Sequence, residues 1–453
     1  MQLNNYLDIN KLHCTAQSGY RPHHSCETLM IKMVDDIIAS MDNMNIIALL
    51  LLDLYAAFDT VDHEILLKRL KSDYGISGTV YAWIKSYLES RSYVVQVGNY
   101  SSTVGYLLFG VPQGSILGPL LFILYTKDLQ NIAKKYGLEI QLYADDSQLY
   151  IGFKPTESSE IEITIQKIEA CVHEIKSWMC NNFMKLNEEK TKLMLLGTKN
   201  SLNVKNDISI NVGKENVITN CKDTDDIVSL GVSLDANLNM QKHIGTVRKK
   251  CFWQIMNLGR IRQTLTVELR FMLVKTLVLS KIDYHNALYI NLPEYSIKKL
   301  QGVINAAVRF IYGIGKREHI RPYLIKAHIL PVRMRIDFKI CLLAHKFIHA
   351  KVPDYISDLL HMHIPTRNPI CNNNEVSVLG KPPRITEDTF MLVYPSFHFH
   401  RSNLAERRFS NYSPKCWNTL PYYIRSCGNT DTFKTKLKTH YFNRFVNDPF
   451  ERV

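Results

Sequence analysis

A short apolar segment that ends abruptly at a carboxylate constrains this sequence more than any other feature. Residues 46–52, IIALLLL, are continuously apolar, which predicts a strand buried on both faces, and Asp53 follows at once. A second acidic pair, Asp145 and Asp146, falls at the predicted bend between two further apolar strands. Ionised carboxylates beside buried strands are costly unless something compensates their charge. Three aspartates at strand ends are therefore unfavourable unless another group compensates their negative charge.

A bound divalent cation would compensate this charge. Adjacent carboxylates repel each other, and Mg²⁺ prefers carboxylate and phosphate oxygens. Two such ions roughly 4 Å apart serve polymerases and nucleases. The alternatives are structural: Asp53 as a helix N-cap, and Asp145-Asp146 as an ordinary solvated turn. The carboxylates alone do not decide between these interpretations.

Six ordered blocks of sequence resemble those of reverse transcriptases from LINE-type (non-LTR) retrotransposons, close to the Jockey or CR1-like group. In chain order they are Gln17-Ser-Gly-Tyr-Arg-Pro22, Leu51-Leu-Asp-Leu-Tyr-Ala-Ala-Phe-Asp59-Thr-Val-Asp-His63, Gly110-Val-Pro-Gln-Gly-Ser-Ile-Leu-Gly-Pro119, Tyr143-Ala-Asp-Asp146, Leu186-Asn-Glu-Glu-Lys-Thr-Lys192 and Leu230-Gly-Val-Ser-Leu-Asp235. A lone Tyr-x-Asp-Asp would be a weak signal, whereas six blocks in order over residues 17–235 are specific. The tail of the chain, from 413 to 440, also looks like tails in that group.

The resemblance implies an α+β fold, a right-hand polymerase whose palm is an antiparallel sheet with a ferredoxin-like core. The implied division is partial fingers in 1–45, a palm with interleaved fingers elements in 46–239 (the reverse transcriptase domain at about 12–235), an all-α thumb in 240–360, a connector in 361–400 and a basic C-terminal segment in 401–453. The hydrophobic pattern agrees with a nearly all-helical region after about residue 240. It also predicts one helix over 120–135, and strands over 93–97 and 103–109 joined by a turn at Gly98-Asn99.

The resemblance assigns the metal site residue by residue. Asp53 and Asp145 would hold two Mg²⁺ ions, for which Mn²⁺ could substitute, and Asp146 would complete the acidic set. The backbone carbonyl of Leu54 would also face a metal. The implied reaction is in-line attack of a primer 3′-hydroxyl on the α-phosphate of a dNTP, with loss of pyrophosphate.

Other positions match nucleotide-binding elements of the family. Phe58 matches the steric gate that rejects the ribose 2′-hydroxyl, although a core aromatic on a helix face is an equally physical interpretation. Gln113 and Gly114 match the loop that contacts the incoming nucleotide and template, where glycine permits close approach. Lys190 matches a lysine near the departing pyrophosphate, and its structural alternative is a solvated surface lysine.

The last block and the helical region imply contacts to the nucleic acid. Leu230 and Gly231 belong to the block that resembles a primer grip. The helical region after residue 240 interleaves basic and aromatic residues, which suits tracking of a duplex backbone but equally suits a solvated helix face: Lys249, Lys250, Phe252, Trp253, Arg260, Arg262, Arg270 and Phe271.

The charge balance and apolar runs bear on partners. The formal net charge is +13, which favours a polyanionic partner, either nucleic acid or an anionic membrane surface. No apolar run approaches the roughly 20 residues that a membrane span requires, so no membrane role is expected. The expected partners are an RNA template, a DNA primer and dNTPs. The sequence identifies no protein partner.

The ten cysteines include no Cys-x-x-Cys pair and predict reduced thiols. With no apolar signal segment visible, this predicts an intracellular protein, cytoplasmic and nuclear. Histidines and cysteines near the C-terminus could be imagined as zinc ligands, but their spacing matches no compact finger: His398, His400, Cys416, Cys427 and His440.

Three functions compete at this level. The first is an RNA-directed DNA polymerase, a nucleotidyltransferase. The second follows from the absence of the endonuclease domain and of the basic upstream fingers segment that such element proteins carry. It is an N-terminally truncated remnant that only binds nucleic acid. The third is a metal-dependent nuclease, which shares the carboxylates but leaves Phe58 and the Gly110–Pro119 loop unexplained.

Overall fold

The fold mixes helices with antiparallel strands, and the computed structural model describes it over residues 2–156, 158–202, 208–211, 216–219, 226–363, 390–394 and 404–448. By its internal contacts the chain divides into two units. The first comprises Met1–Leu29 with Met44–Gly231, and the second comprises Met30–Asn43 with Val232–Val453. Every helix in the described ranges is too short or too polar to cross a membrane.

The elements up to residue 234 alternate between helices and short strands. The helices are α1 (Gln2–Ile9), α2 (Cys26–Asp42), α3 (His63–Ser72), α4 (Gly78–Leu88), α5 (Gly118–Tyr125), α6 (Leu129–Lys135), α7 (Ser158–Asn181) and α8 (Lys199–Leu202). The strands are β1 (Ile46–Leu52), β2 (Leu54–Tyr55), β3 (Ser92–Tyr93), β4 (Gln96–Val97), β5 (Tyr100–Ser101), β6 (Gly105–Tyr106), β7 (Glu139–Tyr143), β8 (Asp146–Phe153), β9 (Lys185–Leu186), β10 (Lys192–Leu196), β11 (Ile208–Asn211), β12 (Asn216–Thr219), β13 (Ile227–Ser229) and β14 (Val232–Leu234).

A four-stranded antiparallel sheet in the order β10-β1-β8-β7 forms the centre of the first unit. Strand β1 lies between two neighbours and is almost entirely buried, which explains why its sequence is continuously apolar instead of alternating. Helices α3, α5, α6 and α7 contribute their apolar faces to the core beside the sheet. The predicted α+β fold with an antiparallel sheet is therefore confirmed. The names fingers, palm and thumb, with their boundaries, stay predictions.

The second unit is built mainly from helices. They are α9 (Gln241–Arg260), α10 (Val267–Val274), α11 (Ser280–Asp283), α12 (Glu294–Tyr312), α13 (Arg321–Lys326), α14 (Val332–Ile348), α15 (Asp354–Ser357), α16 (Phe409–Asn418), α17 (Tyr422–Arg425) and α18 (Thr430–Asn447). A π-helical turn, Lys275–Leu279, joins α10 to α11. The helical character expected after residue 240 is confirmed, and most of the predicted connector, 361–400, lies outside the described residues.

Two local predictions were wrong in detail. The single helix expected over 120–135 is two helices, because the backbone at Thr126 (φ −95°, ψ 9°) departs from helical geometry and α6 begins only at Leu129. The expected strands over 93–97 and 103–109 pair only as two-residue ladders, β3 with β6 and β4 with β5. The predicted turn at Gly98-Asn99 does connect β4 to β5.

Candidate active site

The register of the central sheet brings two carboxylate-bearing strand ends together. Leu52 at the end of β1 lies opposite Ser147 of β8, so Asp53 and Asp146 are the next residues along each strand. The Asp146 side chain reaches solvent, but the surrounding protein shields its carboxyl group. This shielding, together with the nearby carboxylates of Asp145 and Asp53, raises the pKa of Asp146 above its ordinary value.

Asp145 lies in the turn that joins β7 to β8. Tyr143 pairs with Asp146 across the two strands, which leaves Ala144 and Asp145 as a two-residue connection. Ala144 has a φ of 56°, a left-handed conformation that is unfavourable for a residue with a side chain. The surrounding structure must therefore hold this turn in place.

Gln17 holds the turn, a role that its position in the sequence did not predict. Its side chain is buried, its Oε1 accepts hydrogen bonds from Ala144 N (3.0 Å) and Gly19 N (2.7 Å), and its Nε2 donates to Ala144 O (3.3 Å). A Cβ at Gly19 would lie 2.5 Å from Ala144 N, so only glycine fits there. The upstream block that begins at Gln17 thus supports the turn that carries Asp145.

A second buried amide, Asn187, contacts Asp53. Its Nδ2 donates to Asp53 Oδ2 at 2.9 Å, and its backbone N–H donates to the Asp53 carbonyl at 2.9 Å. The pairing of Leu54 with Leu186, between β2 and β9, sets this alignment. Lys190 Nζ lies 3.6 Å from the same Oδ2, on a side chain that is 72 % exposed. The structure thus brings Lys190 beside Asp53 instead of leaving it as an isolated surface lysine.

Phe58 is half-buried and packs against the core. Its ring stacks on Phe122, with the centroids 4.6 Å apart, so the core-aromatic interpretation holds whether or not the ring also acts as a gate. Its carbonyl accepts from Val111 N at 2.8 Å. Gly110, with a φ of 86°, packs so closely against Asp59 that a Cβ would lie 2.8 Å from the Asp59 carbonyl oxygen. The blocks at residues 51–63 and 110–119 are therefore joined through their backbones.

The loop after Gly110 presents Gln113 and Gly114 on the surface. Gln113 Nε2 donates to both carboxylate oxygens of Asp59 at 3.1 Å. Gly114 has a φ of 81°, and a Cβ there would meet nothing within 4 Å. The glycine is explained by this left-handed backbone and not by close contact within the chain.

Leu230 and Gly231 form the turn between β13 and β14, with φ values of 46° and 79°. Downstream, the carboxylate of Asp235 accepts hydrogen bonds from the backbone N–H groups of Asn239 and Met240, both at 2.7 Å. Asp235 thus prepares the start of α9. The block that resembles a primer grip is, by these contacts, a turn followed by a helix-initiating carboxylate.

The donor chemistry at the strand ends fits a divalent cation, although the side chains do not converge on one point. Among the described residues, no group of three His, Cys, Asp or Glu side chains could hold a metal ion as positioned, and this includes Asp53, Asp145 and Asp146. Burial, together with the carboxylates of Asp145 and Asp53, nevertheless raises the pKa of Asp146. Like charges at this spacing are relieved by a hard cation.

The basic residues of the helical region divide into two groups. Arg262 Nε donates to the Phe310 carbonyl (2.8 Å) and Arg270 to the Ile311 carbonyl (3.1 Å), so both satisfy the C-terminal end of α12. A second group on α9 is exposed, and it combines basic and aromatic side chains: Lys249, Lys250, Phe252, Trp253 and Arg260. Arg262 and Arg270 thus have a structural role at the end of α12. Contact with nucleic acid stays a prediction for the exposed group on α9.

The cysteine and histidine residues near the C-terminus have other contacts. Cys416 Sγ lies 3.3 Å from Cys341 Sγ, Cys427 Sγ donates to the Tyr423 carbonyl, and His440 packs edge-on against Tyr441. His398 and His400 lie outside the described residues. The eight cysteines that the structure describes form no disulfide.

Sequence comparison decides the family. The family model described as "Reverse transcriptase (RNA-dependent DNA polymerase)" matches residues 2–234, half of the chain. The chain belongs to the reverse transcriptase family. The match ends at the last residue of β14 and so contains all of the candidate site.

Relatives among characterised proteins come from mobile elements. In Drosophila melanogaster, the probable RNA-directed DNA polymerase from transposon BS is 25% identical over 262 residues, covering 57% of this chain and 28% of the relative. The RNA-directed DNA polymerase from mobile element jockey is 28% identical over 188 residues, covering 40% and 20%. These reverse transcriptases confirm the prediction of a LINE-type enzyme family. The chain spans less than a third of their length.

Solved structures with similarity to the chain include telomerases. Apo telomerase from Candida tropicalis matches with a TM-score of 0.41 and 11% identity, covering 74% of this chain and 53% of that one. Telomerase from Candida albicans in complex with a fragment of telomeric RNA matches with a TM-score of 0.34 and 15% identity, covering 72% and 55%.

Proposed function

We propose that this chain is an RNA-directed DNA polymerase that extends a DNA primer with dNTPs on an RNA template. Family membership gives the class of reaction. The observation that carries the proposal for this chain is the meeting of Asp53 with Asp146 at adjoining strand ends, beside the turn that bears Asp145.

Asp53, Asp145 and Asp146 are the residues that would hold Mg²⁺ or Mn²⁺, together with the carbonyl of Leu54. When bound, such ions activate the attacking hydroxyl and stabilise the leaving phosphate. The protein's own contribution is to fix the carboxylates. Asn187 hydrogen-bonds to Asp53, and Gln17 hydrogen-bonds to the turn that carries Asp145. Preorganised ligands of this kind cost little reorganisation during the reaction.

The remaining site residues take part in binding the nucleotide. Phe58, anchored on Phe122, limits the space beside the sugar. Gln113 is held by Asp59, so its side chain fixes the loop, and the open backbone at Gly114 is left to face the nucleotide. Lys190, on an exposed and flexible stem beside Asp53, can turn towards the departing pyrophosphate.

Two further parts of the chain would bind the nucleic acid. Leu230 and Gly231, in their exposed-backbone turn, support the primer end. The exposed basic and aromatic group on α9 contacts phosphates of the duplex. The first unit with its sheet acts as palm and partial fingers, and the helices after residue 240 act as a thumb.

Primer extension on a homopolymer RNA template tests the proposal. The wild-type chain should extend a labelled DNA primer with Mg²⁺ or Mn²⁺ and dNTPs, and Asp145→Asn should not. Asp73→Asn is the matched control, because Asp73 is exposed and lies at the end of α3. A folded wild-type chain that binds primer–template but does not extend it would identify a remnant that only binds nucleic acid. Cleavage without synthesis would identify a nuclease.

A further inference from the structure

Asn187 has a buried side chain that hydrogen-bonds to Asp53 and to the backbone of Lys190. It is 2 % exposed, and it lies 134 positions away from Asp53 in the chain. A buried amide is costly unless it is hydrogen-bonded, so this position is occupied by asparagine for a specific reason.

The orientation of the Asn187 amide is determined by its neighbours. Its Oδ1 accepts from the backbone N–H of Lys190 at 3.4 Å, which leaves Nδ2 to donate to Asp53 Oδ2 at 2.9 Å. The backbone carbonyl of Asn187 accepts from Thr191 N (3.1 Å) and from the Thr191 hydroxyl (2.8 Å), which fixes the backbone at this position. The two ends of the side-chain amide thus have separate partners, with Oδ1 bound to Lys190 N and Nδ2 facing Asp53 as a donor.

The contact orients Asp53 without neutralising it. The amide carries no charge, so the carboxylate keeps its full attraction for a cation. Lys190 approaches the same oxygen, Oδ2, at 3.6 Å, but its side chain is 72 % exposed and an ion pair of this kind contributes little. Within the described residues Asp53 Oδ1 receives no hydrogen bond from the chain.

We propose that Asn187 is a positioning residue that fixes the Asp53 carboxylate through Oδ2 and presents Oδ1 to the metal ion. The inference rests on the proposed function, because it takes Asp53 as a metal ligand. Partners that hydrogen-bond to metal ligands typically account for roughly 10- to 100-fold in metal affinity or activity. Without the amide, the half-exposed Asp53 side chain can rotate freely about its own bonds and towards Lys190.

The test compares Asn187→Ala and Asn187→Leu with Asn182→Ala. Asn182 is also a buried asparagine of the same unit, but its Oδ1 accepts from Arg69 at 2.6 Å, at the end of α7. The leucine variant keeps the branched shape of asparagine, although it is bulkier, and it cannot donate a hydrogen bond. Mn²⁺ binding is measured by electron paramagnetic resonance on the protein without nucleic acid, and kcat and KM for dNTP are measured by primer extension.

Both Asn187 variants should bind Mn²⁺ about 10- to 100-fold more weakly than the wild type. At a fixed, subsaturating metal concentration kcat should fall by a similar factor, while KM for dNTP changes by less than about threefold. Asn182→Ala should lower the thermal midpoint and leave Mn²⁺ binding unchanged. This combination separates a positioning role from general destabilisation.

Three results would overturn the inference: folded Asn187 variants that bind Mn²⁺ like the wild type, failure of both variants to fold, or an Asp53→Asn variant that binds Mn²⁺ like the wild type. The proposed function fails separately. A wild-type chain with Asp53-dependent Mn²⁺ binding but no primer extension would refute the polymerase, and the Mn²⁺ comparison would still decide the role of Asn187.

Discussion

The two units of this chain use their buried polar groups in opposite ways. In the first unit, Gln17 and Asn187 are buried amides that hold groups which remain open to solvent, the turn at Asp145 and the carboxylate of Asp53. In the second unit, the buried carboxylate of Asp35 is instead satisfied by polar groups inside the packing. The first arrangement prepares a site, whereas the second stabilises a fold.

Asp35 is the clearest example in the second unit. Its carboxylate is fully buried and accepts from Arg408 Nη2 (2.9 Å), Ser410 N (2.9 Å) and Ser410 Oγ (3.1 Å). These partners lie more than 370 positions further along the chain. The contact therefore joins residues 30–43 to the C-terminal segment within one unit.

The comparison predicts that substitutions in the second unit change stability and that substitutions at the strand ends change chemistry. Asp35→Ala should have the largest effect on stability. It leaves the Arg408 guanidinium without its counter-charge, and breaking such a buried pair costs about 3–5 kcal/mol. Chemical denaturation measures the change. Asp36→Ala, next to it, loses a partly exposed pair with Lys32 and should cost less than about 1 kcal/mol. Equal costs would break the comparison.

His243 should make the second unit sensitive to acid. Ser233 N donates to Nδ1 (3.3 Å) and Nε2 faces the Tyr289 hydroxyl (3.1 Å), which is consistent with a neutral ring. Burial, aided by nearby positive groups, lowers the pKa of His243 to about 4. The unfolded chain takes up a proton near the ordinary pKa of about 6.5, so stability present at pH 7 is lost as the pH falls towards 4.

Because one pKa unit corresponds to about 1.4 kcal/mol, the loss from His243 reaches about 3 kcal/mol near pH 4 and about 2 kcal/mol at pH 5. Urea denaturation at pH 7 and pH 5 measures it, and the His243→Gln variant, although less stable at pH 7, should show a smaller difference between the two pH values. The pKa of His345 is also lowered to about 4, and it contributes in the same direction. A variant with the same pH dependence as the wild type would exclude His243 as a source.

Gln17→Ala should have an intermediate effect on stability and should also impair extension. It removes the acceptor for Ala144 N and Gly19 N, and an unsatisfied buried donor costs about 1–3 kcal/mol. Gln141→Ala is the matched control: Gln141 is buried in β7, but its Oε1 has no hydrogen-bond partner among the described residues. If both variants lose extension equally, support of the turn by Gln17 is not specific.

Ala144→Gly should have the smallest effect, and in the opposite direction. Glycine accepts the φ of 56° without the penalty that alanine incurs, so the variant should gain up to about 1 kcal/mol. Ala133→Gly, in the middle of α6, should instead lose about 1 kcal/mol. Thermal unfolding of the two variants checks the signs, and destabilisation by Ala144→Gly would show that the turn is not strained.

The sequence predicted the parts of the site that are local. Asp53 could be found because it ends a continuously apolar strand, and Asp145 and Asp146 because they lie at a bend between two such strands. Gln17 and Asn187 were inside recognised blocks, yet their roles could not be predicted. Their hydrogen bonds reach residues 127 and 134 positions away, and no local pattern records such a contact.

The helical unit was predictable in type but not in detail. A basic residue on a helix has the same periodicity whether it faces solvent or caps a neighbouring helix. Arg262 and Arg270 cap α12, and Lys249 and Lys250 are exposed, a division that depends on packing between helices. The C-terminal helices α16 to α18 were not predicted, because only the basic character of residues 401–453 was apparent from the sequence.

The rate of a single dNTP addition to a DNA primer on an RNA template shows whether the aspartates at these strand ends catalyse the reaction. It is measured by rapid quench for the wild type, Asp53→Asn and Asp73→Asn, with circular dichroism to confirm that each is folded. The account predicts that Asp53→Asn lowers the rate by more than about 100-fold while Asp73→Asn leaves it within about twofold. A folded Asp53→Asn variant that adds the nucleotide at the wild-type rate would contradict the assignment of these strand ends as the catalytic site.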